Sequence, residues 1–244
     1  CLHKDPYAVK KVSIIIPTYN ERENISKLLD MILKEDFVEE VIVVDDGSKD
    51  GTMEVVEKYT VKDRRVKLLE RRKKLGLGSA YREGIKFVTC DWFFTMDADL
   101  SHDPRQIKDF LEQIQHADIL IGSRHVRGSL IIGWSLYRFL THLIANFLAR
   151  TLLGLNCKDV TSGYRLYNTK KARSIFPLLK GDRFNFQIEV LFYAERLGLK
   201  IKEIPIIFVD RKLGKSKFNF SETMHFFRIL IYLLALKFKL PRRA

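Results

Sequence analysis

The chain has 244 residues, and its 43 Lys and Arg against 30 Asp and Glu give a formal net charge of +13. A hydrophobic content of 46% supports one good-sized packed domain and excludes a disordered chain. Three scattered cysteines exclude a disulfide framework and a cysteine-based zinc site, and they fit a reducing compartment. The charge predicts an anionic partner such as nucleic acid, an acidic membrane face or a phosphorylated substrate.

Apolar runs alternate with amphipathic helical patterns through the first half of the chain. Residues 12–16, 40–46, 66–70, 91–97 and 117–123 are predicted to be strands, and residues 25–33, 52–59, 80–88 and 104–115 are predicted to be helices. Most of the strands are apolar on both faces, which is typical of a mostly parallel sheet flanked by helices. We therefore predict an α/β fold, with one domain over residues 1–217 and a helical tail over residues 218–244.

The sequence also bears on membrane insertion. The longest uninterrupted apolar run, residues 229–236, is less than half of the roughly 20 residues that a membrane span requires. Residues 1–11 are polar and do not read as a signal peptide. We therefore expect a soluble or peripheral membrane protein.

Three polar loops follow predicted strands, and right-handed crossovers bring such loops to one edge of the sheet. The first strand leads into residues 17–24 (PTYNEREN), where Asn20 is predicted to cap the next helix. The second strand ends in residues 45–52 (DDGSKDGT), whose acidic side chains suit ribose hydroxyls or the edge of a base. Each loop taken alone is also consistent with a simple capped turn.

The loop at residues 96–102 (MDADLSH) places two carboxylates, Asp97 and Asp99, at the end of an otherwise apolar strand. Such carboxylates are costly to bury unless a cation meets them. Oxygen ligands without cysteine favour Mg²⁺ or Mn²⁺, held jointly by carboxylates and substrate phosphates. The sequence therefore predicts a divalent metal at this edge.

These loops resemble those of the inverting GT-A-fold glycosyltransferases that use nucleotide-sugars. The matching segments are residues 13–21 (SIIIPTYNE), 44–52 (VDDGSKDGT) and 97–99 (DAD). Later segments resemble dolichyl- or polyprenyl-phosphate mannosyltransferases, namely residues 122–124 (GSR), 159–165 (DVTSGYR), 186–189 (FQIE) and 211–217 (RKLGKSK). The resemblance covers roughly residues 12–217, with the motifs in order.

The resemblance implies roles for the matching residues, within a GT-A catalytic domain. The nucleoside would be held by Pro17, Tyr19, Glu21, Val44 and Asp46. The metal on the diphosphate would be held by Asp97 and Asp99, with the Ala98 backbone close by. The donor diphosphate or the acceptor phosphate would be contacted by Arg124, Arg211 and Lys217, and the residues acting in catalysis would be Asp99, Arg124 and Arg211. Ser101 stands where some relatives have Gln as a further metal ligand, and the shorter serine would reach the ion through water or not at all.

The chemistry of such a transfer explains a site rich in Arg and Lys. A phosphomonoester acceptor has a second pKa of about 6, so it is mostly a dianion at neutral pH and needs no general base. It needs alignment and nearby cations instead. His102 and His125 lie beside the motifs, but the sequence shows no histidine pair at metal-ligand spacing and no carboxylate that would orient either ring. Glu189 is predicted either to orient Arg124 or Arg211, or to be a solvated helix residue.

Two long segments combine apolar residues with a narrow polar side. In residues 130–156, a polar stripe of Arg138, His142, Asn146 and Arg150 recurs every four residues. A helix that is apolar over most of its girth is either buried in the core or lies at a bilayer interface. Residues 222–240 have the same character and a basic end that suits anionic head groups. In the resembling family these regions form the acceptor groove at the membrane, which implies interfacial amphipathic helices.

The leading hypothesis is a peripheral membrane enzyme at a cytoplasmic face, in an archaeal cell membrane or the endoplasmic reticulum. It would use Mg²⁺ or Mn²⁺ and transfer mannose from GDP-mannose to dolichyl (polyprenyl) phosphate with inversion. The chain would be a single-domain member that relies on a membrane-anchoring subunit, or a truncated member. The basic run at residues 71–74 (RRKK) is either a solvated loop or a phosphate-attracting segment.

Two alternatives remain open. The first is a polyprenyl-phosphate glucosyltransferase that uses UDP-glucose, because no residue in the sequence shows whether the site binds guanine or uracil. The second is a basic nucleic-acid-binding protein, which only the charge suggests and which the carboxylates at the strand edge argue against, so we expect no nucleic acid among the partners.

Overall fold

The computed structural model describes residues 10–211 and 220–239. Its strands are β1 (Val12–Thr18), β2 (Val38–Asp45), β3 (Val66–Glu70), β4 (Trp92–Thr95), β5 (Ile119–Ser123), β6 (Leu130–Ile132), β7 (Arg165–Asn168), β8 (Ile201–Pro205) and β9 (Ile207–Val209). Its α-helices are α1 (Arg22–Ile32), α2 (Thr52–Lys62), α3 (Leu77–Gly84), α4 (Ile107–Leu111), α5 (Leu136–Leu153), α6 (Thr169–Ile175), α7 (Phe186–Arg196) and α8 (Phe220–Lys239).

Seven strands form one sheet, in the order β3-β2-β1-β4-β7-β5-β8. Each neighbouring pair is parallel except the two that involve β7, which runs antiparallel to β4 and β5. Strands β6 and β9 pair in parallel as a separate ribbon. Apolar clusters cover the sheet on both faces. The prediction of a mostly parallel central sheet flanked by helices is therefore confirmed.

The five predicted strands are β1 to β5, with ends displaced by at most two residues. The helix predicted over residues 104–115 is shorter, because it begins as a 3₁₀ turn at Pro104–Gln106 and α4 ends at Leu111. Strands β1 and β2 have almost wholly buried side chains, as the apolar runs require.

Asn20 does not cap α1, which corrects the sequence-based prediction. Its φ of 53° places it in the left-handed region, which asparagine tolerates better than most residues. Its side-chain oxygen accepts a hydrogen bond from the Lys49 amide at 2.9 Å, and its own amide donates to Ser48 Oγ at 2.8 Å. Asn20 therefore ties the loop after β1 to the loop after β2.

Helix α5 turns its polar stripe toward the protein and its apolar side outward. Its buried residues are Asn146, Ala149 and Leu153. Its exposed large apolar residues are Leu136, Tyr137, Leu140, Leu143, Ile144, Phe147 and Leu152. The structure therefore does not bear out the interpretation of residues 130–156 as a core helix, and α5 presents a broad apolar surface.

Helix α8 packs against α5 and α7, and Ile229, Leu230 and Leu233 join the core. Its other side exposes Met224, Phe227, Ile231 and Phe238. Among the residues that the structure describes, no helix is both long enough and apolar enough to cross a membrane. The division of the chain at residue 217 stays a prediction.

The order of the strands sets the place of the functional loops. From β1 the chain builds outward through β2 and β3 on one side, and β4 lies on the other side of β1. Ligands of α/β sheets bind where the strand order reverses, beyond the carboxyl ends of the strands. The loops after β1, β2 and β4 meet at this point.

Candidate active site

A cavity of about 500 Å³ opens at this edge of the sheet, within the usual size range of small-molecule sites. The predicted site residues that line it are Pro17, Tyr19, Glu21, Asp46, Asp97, Ala98, Asp99 and Arg211. The lining also includes Lys74, the last residue of the basic run, and five residues that the sequence did not point to: Leu75, Gly76, Asp182, Arg183 and Phe184. The structure thus brings together the motifs that follow β1, β2 and β4.

Two of the predicted site residues that the structure describes do not line the cavity. Val44 has a fully buried side chain in the core between the sheet and α3, so it offers no side-chain contact to a ligand. Arg124 follows β5 and is paired with Asp159. Lys217 lies outside the described residues.

The two carboxylates of the DAD segment follow β4. Asp99 is buried; its Oδ2 lies 2.8 Å from Nη2 of Arg211, and its Oδ1 accepts from the Ser101 amide at 3.1 Å. Leu100, between Asp99 and Ser101, has a φ of 61°. A leucine in the left-handed region is strained, and such strain clusters at functional sites. The surrounding contacts therefore hold this loop in one conformation.

The donor set of Asp97 and Asp99 fits a hard divalent cation. Mg²⁺ and Mn²⁺ take oxygen ligands, usually one or two carboxylates with water and substrate phosphates. One oxygen of Asp99 is paired with Arg211, so a metal ion bound by this carboxylate would share it with the guanidinium. Ser101, for which the resemblance implied at most a contact to the metal through water, is buried and is not among the residues that line the cavity.

Tyr19 and Lys74 define one end of the cavity. The Lys74 ammonium lies 4.1 Å from the centroid of the Tyr19 ring. Beside them, the Glu21 amide donates to Thr52 Oγ1 at 2.9 Å and Glu21 Oε2 accepts from Asn24 at 2.9 Å. These contacts fix an aromatic face, a cation and a carboxylate within the same pocket wall.

Asp46 holds the backbone of the neighbouring loop. Its two oxygens accept from the amides of Leu75 and Gly76, both at 2.7 Å, and Arg71 pairs with it at 2.7 Å. Arg71 is buried, and burial lowers the pKa of its guanidinium. The basic run at residues 71–74 is therefore not a simple solvated loop, because Arg71 is buried against Asp46 and Lys74 lines the cavity.

The same loop touches the segment before α7 backbone to backbone. A Cβ on Gly76 would lie 2.3 Å from the Asp182 carbonyl oxygen, and a Cβ on Gly78 would lie 2.3 Å from the Gly181 carbonyl oxygen. Real side chains do not come so close, so this approach requires glycine at both positions.

Glu189 has neither of the roles predicted for it. Its side chain is fully buried, and its Oε2 accepts from the amides of Lys180 at 3.0 Å and Gly181 at 2.7 Å. Burial raises the pKa of this carboxyl group. Glu189 shapes the loop at the cavity wall through the backbone, and it orients neither Arg124 nor Arg211 within the described contacts.

Arg124 is clamped by a fully buried carboxylate. Asp159 Oδ2 accepts from Arg124 Nε at 2.7 Å and from its amide at 3.1 Å, while Oδ1 accepts from Nη2 at 2.8 Å. Thr161 Oγ1 accepts a further bond from Nη2 at 2.9 Å. Burial acts to raise the pKa of Asp159, but the pairing with Arg124 outweighs it and the pKa lies well below its usual range.

Two histidines that seemed unrelated in sequence meet beside this pair. His142 Nε2 lies 2.9 Å from His125 Nε2, 3.0 Å from Asn146 Nδ2 and 4.0 Å from Asp159 Oδ1. The two histidines are 17 residues apart in sequence, so their spacing gave no sign of this contact. Burial lowers the pKa of His142 to about 3, so its ring is neutral at pH 7.

The ligand atoms of His125, His142 and Asp159 lie within 4.8 Å of one another, but their charges do not favour a metal ion. Both oxygens of Asp159 already accept from the Arg124 guanidinium. A metal ion at this place would compete with Arg124 for the oxygens of Asp159. It would leave the buried guanidinium of Arg124 without its counter-charge. The cluster is better described as the support of Arg124.

Arg138 extends the line of arginines. Its Nη1 lies 2.7 Å from both oxygens of Asp210, and Asp210 Oδ1 also accepts from the Arg211 amide at 2.9 Å. Asp210 therefore links Arg138 on α5 to Arg211, which pairs with Asp99 of the DAD segment. The sequence indicated Arg138 only as one member of the polar stripe of α5. Its spacing of four residues from His142 was the one signal that it lies on the same side of the helix.

Comparisons with known proteins agree with this geometry. Residues 13–176 match the family described as Glycosyl transferase family 2. An undecaprenyl-phosphate mannosyltransferase of Micrococcus luteus is 38% identical over 213 residues, which is 86% of this chain and 88% of the relative. A polyprenol monophosphomannose synthase of Mycolicibacterium smegmatis is 35% identical over 232 residues, covering 89% of this chain and 86% of the relative.

A solved structure shares the fold at lower sequence identity. Glucosyl-3-phosphoglycerate synthase from Mycobacterium tuberculosis, in complex with Mn²⁺, UDP and glucosyl-3-phosphoglycerate, superposes with a TM-score of 0.69 at 18% identity. The match covers 99% of this chain and 88% of the other. Together with the sheet topology and the family match, it shows that the chain is a glycosyltransferase of family 2 with the GT-A fold.

Proposed function

We propose that this protein transfers mannose from GDP-mannose to dolichyl or another polyprenyl phosphate, with inversion at the anomeric carbon and with Mg²⁺ or Mn²⁺. The observation that carries the proposal is the adjacency of three features. The carboxylates of Asp97 and Asp99 line the cavity, Asp210 links Arg138 to the cavity residue Arg211, and the apolar face of α5 begins next to Arg138. A phosphate carried on a lipid chain needs this combination of cations and apolar surface.

The names of the relatives support the same class of acceptor. The Micrococcus protein is named for undecaprenyl phosphate and the Mycolicibacterium protein for a polyprenol, and both are named for mannose. Their identities of 35–38% over most of the chain are the basis for proposing mannose here. The Mycobacterium tuberculosis structure holds UDP, which keeps UDP-glucose as the donor to be tested against GDP-mannose.

The residues on the two sides of the cavity suit the two ends of the donor. Pro17, Tyr19, Glu21 and Asp46 would meet the nucleoside, and Lys74 joins them as an addition to the predicted set. Asp97 and Asp99, with Ala98 between them, would hold the metal on the diphosphate. When bound, the metal would neutralise the charge that grows on the leaving diphosphate.

Sugar transfer then requires one displacement. An oxygen of the acceptor phosphate attacks C1 of mannose, the bond between C1 and the diphosphate oxygen breaks, and its electron pair leaves with GDP. Attack from the opposite face gives the β-linked product. The acceptor is already anionic, and the described residues that line the cavity include no histidine, which suits a reaction without a general base.

Arginines supply alignment in this scheme. Arg211 lies at Asp99, so it would contact the diphosphate and the acceptor phosphate as they approach each other. Arg124 is held by Asp159 before any substrate arrives, which lowers the entropy lost on binding. A planar guanidinium can also donate two parallel hydrogen bonds to one phosphate, which lysine cannot.

The exposed apolar faces of α5 and α8 support a peripheral attachment to the membrane that holds the acceptor. We place this surface at the cytoplasmic face, with residues 1–217 as the catalytic domain and residues 218–244 as a membrane-facing tail. A membrane-anchoring subunit would add to this attachment.

The test is transfer of radiolabelled sugar to dolichyl phosphate in detergent, with GDP-mannose and UDP-glucose in parallel and EDTA as control. EDTA-sensitive transfer from GDP-mannose alone is the expected result. Transfer from UDP-glucose alone would replace the donor but keep the acceptor and the fold. Label in the EDTA sample equal to that in the untreated sample would contradict the metal assignment.

A further inference from the structure

Trp134 contacts both arginines that lie on the α5 side of the site. It lies between β6 and α5, and its ring centroid is 5.4 Å from the guanidinium carbon of Arg124 and 4.8 Å from that of Arg138. The two guanidinium groups are therefore no more than about 10 Å apart. One aromatic ring joins two cations that come from different parts of the chain.

The ring itself is fixed by its neighbours. The Trp134 ring meets that of His142 at 4.8 Å with an interplanar angle of 70°, and that of Phe208 at 5.4 Å with the same angle. Phe208 also lies 5.4 Å from the Arg124 guanidinium, so Arg124 has two aromatic neighbours. The position of Trp134 is thus set by α5 and β9 together.

Each arginine also has a carboxylate, but the two pairs differ in burial. Asp159 is fully buried and clamps Arg124 firmly. The pair of Arg138 with Asp210 leaves their side chains 39% and 24% exposed, and such a pair holds an arginine weakly because water competes for both partners. Arg138 therefore depends on a further contact for a fixed position.

We propose that Trp134 is a positioning residue that holds the guanidinium groups of Arg124 and Arg138 side by side for one phosphate. The proposal rests on the proposed function, in which that phosphate is the acceptor's. An aromatic face attracts a guanidinium without neutralising it, so both arginines keep their charge for the ligand. A third carboxylate in the same place would hold them but would repel the phosphate.

The first test compares Trp134→Leu with Trp134→Phe in the transfer assay. Trp134→Leu is expected to raise the KM for the acceptor about tenfold, as the loss of a partly desolvated cation–π contact implies, and to leave the KM for the donor unchanged. Trp134→Phe keeps an aromatic face and should restore most of the acceptor affinity. The control is Phe87→Leu, a change at an exposed aromatic side chain in the short 3₁₀ turn after α3.

A second measurement separates attraction by the ring from simple packing. The chain has two tryptophans, so Trp134 is the single tryptophan in a Trp92→Phe background. The expression host is then grown on tryptophan analogues that carry increasing numbers of fluorine atoms. Their incorporation at position 134 weakens the electron-rich face of the ring and nearly keeps its shape. Acceptor affinity should fall stepwise with fluorine number. Equal affinity across the series would overturn the proposal even if Trp134→Leu unfolds.

Binding without transfer keeps this inference separate from the proposed function. Farnesyl phosphate is titrated calorimetrically into the whole chain in detergent, for the wild type and the fluorinated series. If it binds and weakens along the series while GDP-mannose gives no transfer, the proposed function fails and the role of Trp134 stands. If the wild type transfers mannose but farnesyl phosphate affinity is the same throughout, the role of Trp134 is refuted. A wild type that does not bind farnesyl phosphate refutes it as well.

Discussion

The change Asp159→Asn isolates the contribution of the buried clamp on Arg124. It keeps the shape of the side chain but removes its charge and puts an NH₂ group where an acceptor stood. Three of the donors aimed at this carboxylate belong to Arg124, and others come from Thr161 and Ser162. In the variant, at least one of these donors faces another donor, and the guanidinium loses its counter-charge.

The structure sets the expected magnitude. Asp159 is fully buried and the Arg124 side chain is only 9% exposed, so this is a buried pair from which one partner is removed. Such a loss costs about 3–5 kcal/mol of the free energy of unfolding. For a chain of this size each kcal/mol lowers Tm by about 2–4 °C, so Tm should fall by on the order of 10 °C. The matched control is Asp103→Asn, whose partner Arg105 is 73% exposed, and it should cost less than about 1 kcal/mol.

The assay is urea unfolding together with calorimetry at pH 7, with Arg124→Met added to complete a double-mutant cycle. The folded-state pKa of Asp159 lies below its unfolded value of about 3.9, so its contribution is fully present above that pH and is lost as the pH falls further. The difference between wild type and variant should therefore persist from pH 7 to about pH 4. A Tm within the range of the Asp103→Asn control at pH 7 would refute the reasoning.

Four further results are expected. Asp99→Ala should abolish transfer and weaken Mn²⁺ binding measured by electron paramagnetic resonance; near-normal activity would remove the metal assignment. Arg211→Ala should lose activity that Arg211→Lys only partly restores, because lysine lacks the planar fork; full recovery by lysine would mean that charge alone matters. Gly78→Ala should lower Tm by several degrees, since its new Cβ would overlap a carbonyl oxygen, and an unchanged melting curve would contradict this. Ile144→Glu should reduce flotation with anionic vesicles without changing GDP binding, whereas Val61→Glu, at an exposed position on α2, should have no effect on flotation.

The first half of the fold was predictable because its signals are local. Runs that are apolar on both faces, separated by amphipathic patterns, define β1 to β5 and the helices between them. The second half was not, because β7 is inserted antiparallel between β4 and β5, and β8 pairs with β5 across a long stretch of chain. Pairings of this kind depend on tertiary contacts that no short window contains.

The same division applies to the site. The loops after β1, β2 and β4 were predictable, since parallel strands bring their carboxyl ends together. The contacts that support the site were not predictable. Asp159 holds Arg124, which is far from it in sequence. Glu189 holds the backbone of Gly181 across a turn. The exposure of helix α5 was not predictable from its pattern, because its polar stripe faces the protein beside the buried Ala149 and Leu153 while most of its large apolar side chains are exposed.

The backbone contacts at Gly76 and Gly78 have a consequence for movement at the cavity. Because the carbonyl oxygens of Asp182 and Gly181 already touch these glycines, the segment before α7 has no room to approach α3 any further. Movement in the other direction would break the hydrogen bonds that the Gly78 amide donates to the Asp182 carbonyl and that Arg82 donates to the Gly181 carbonyl. The loop that carries Gly76 and the segment that carries Asp182 are therefore already as close as they can be. A substrate that changes the distance between them can only increase it.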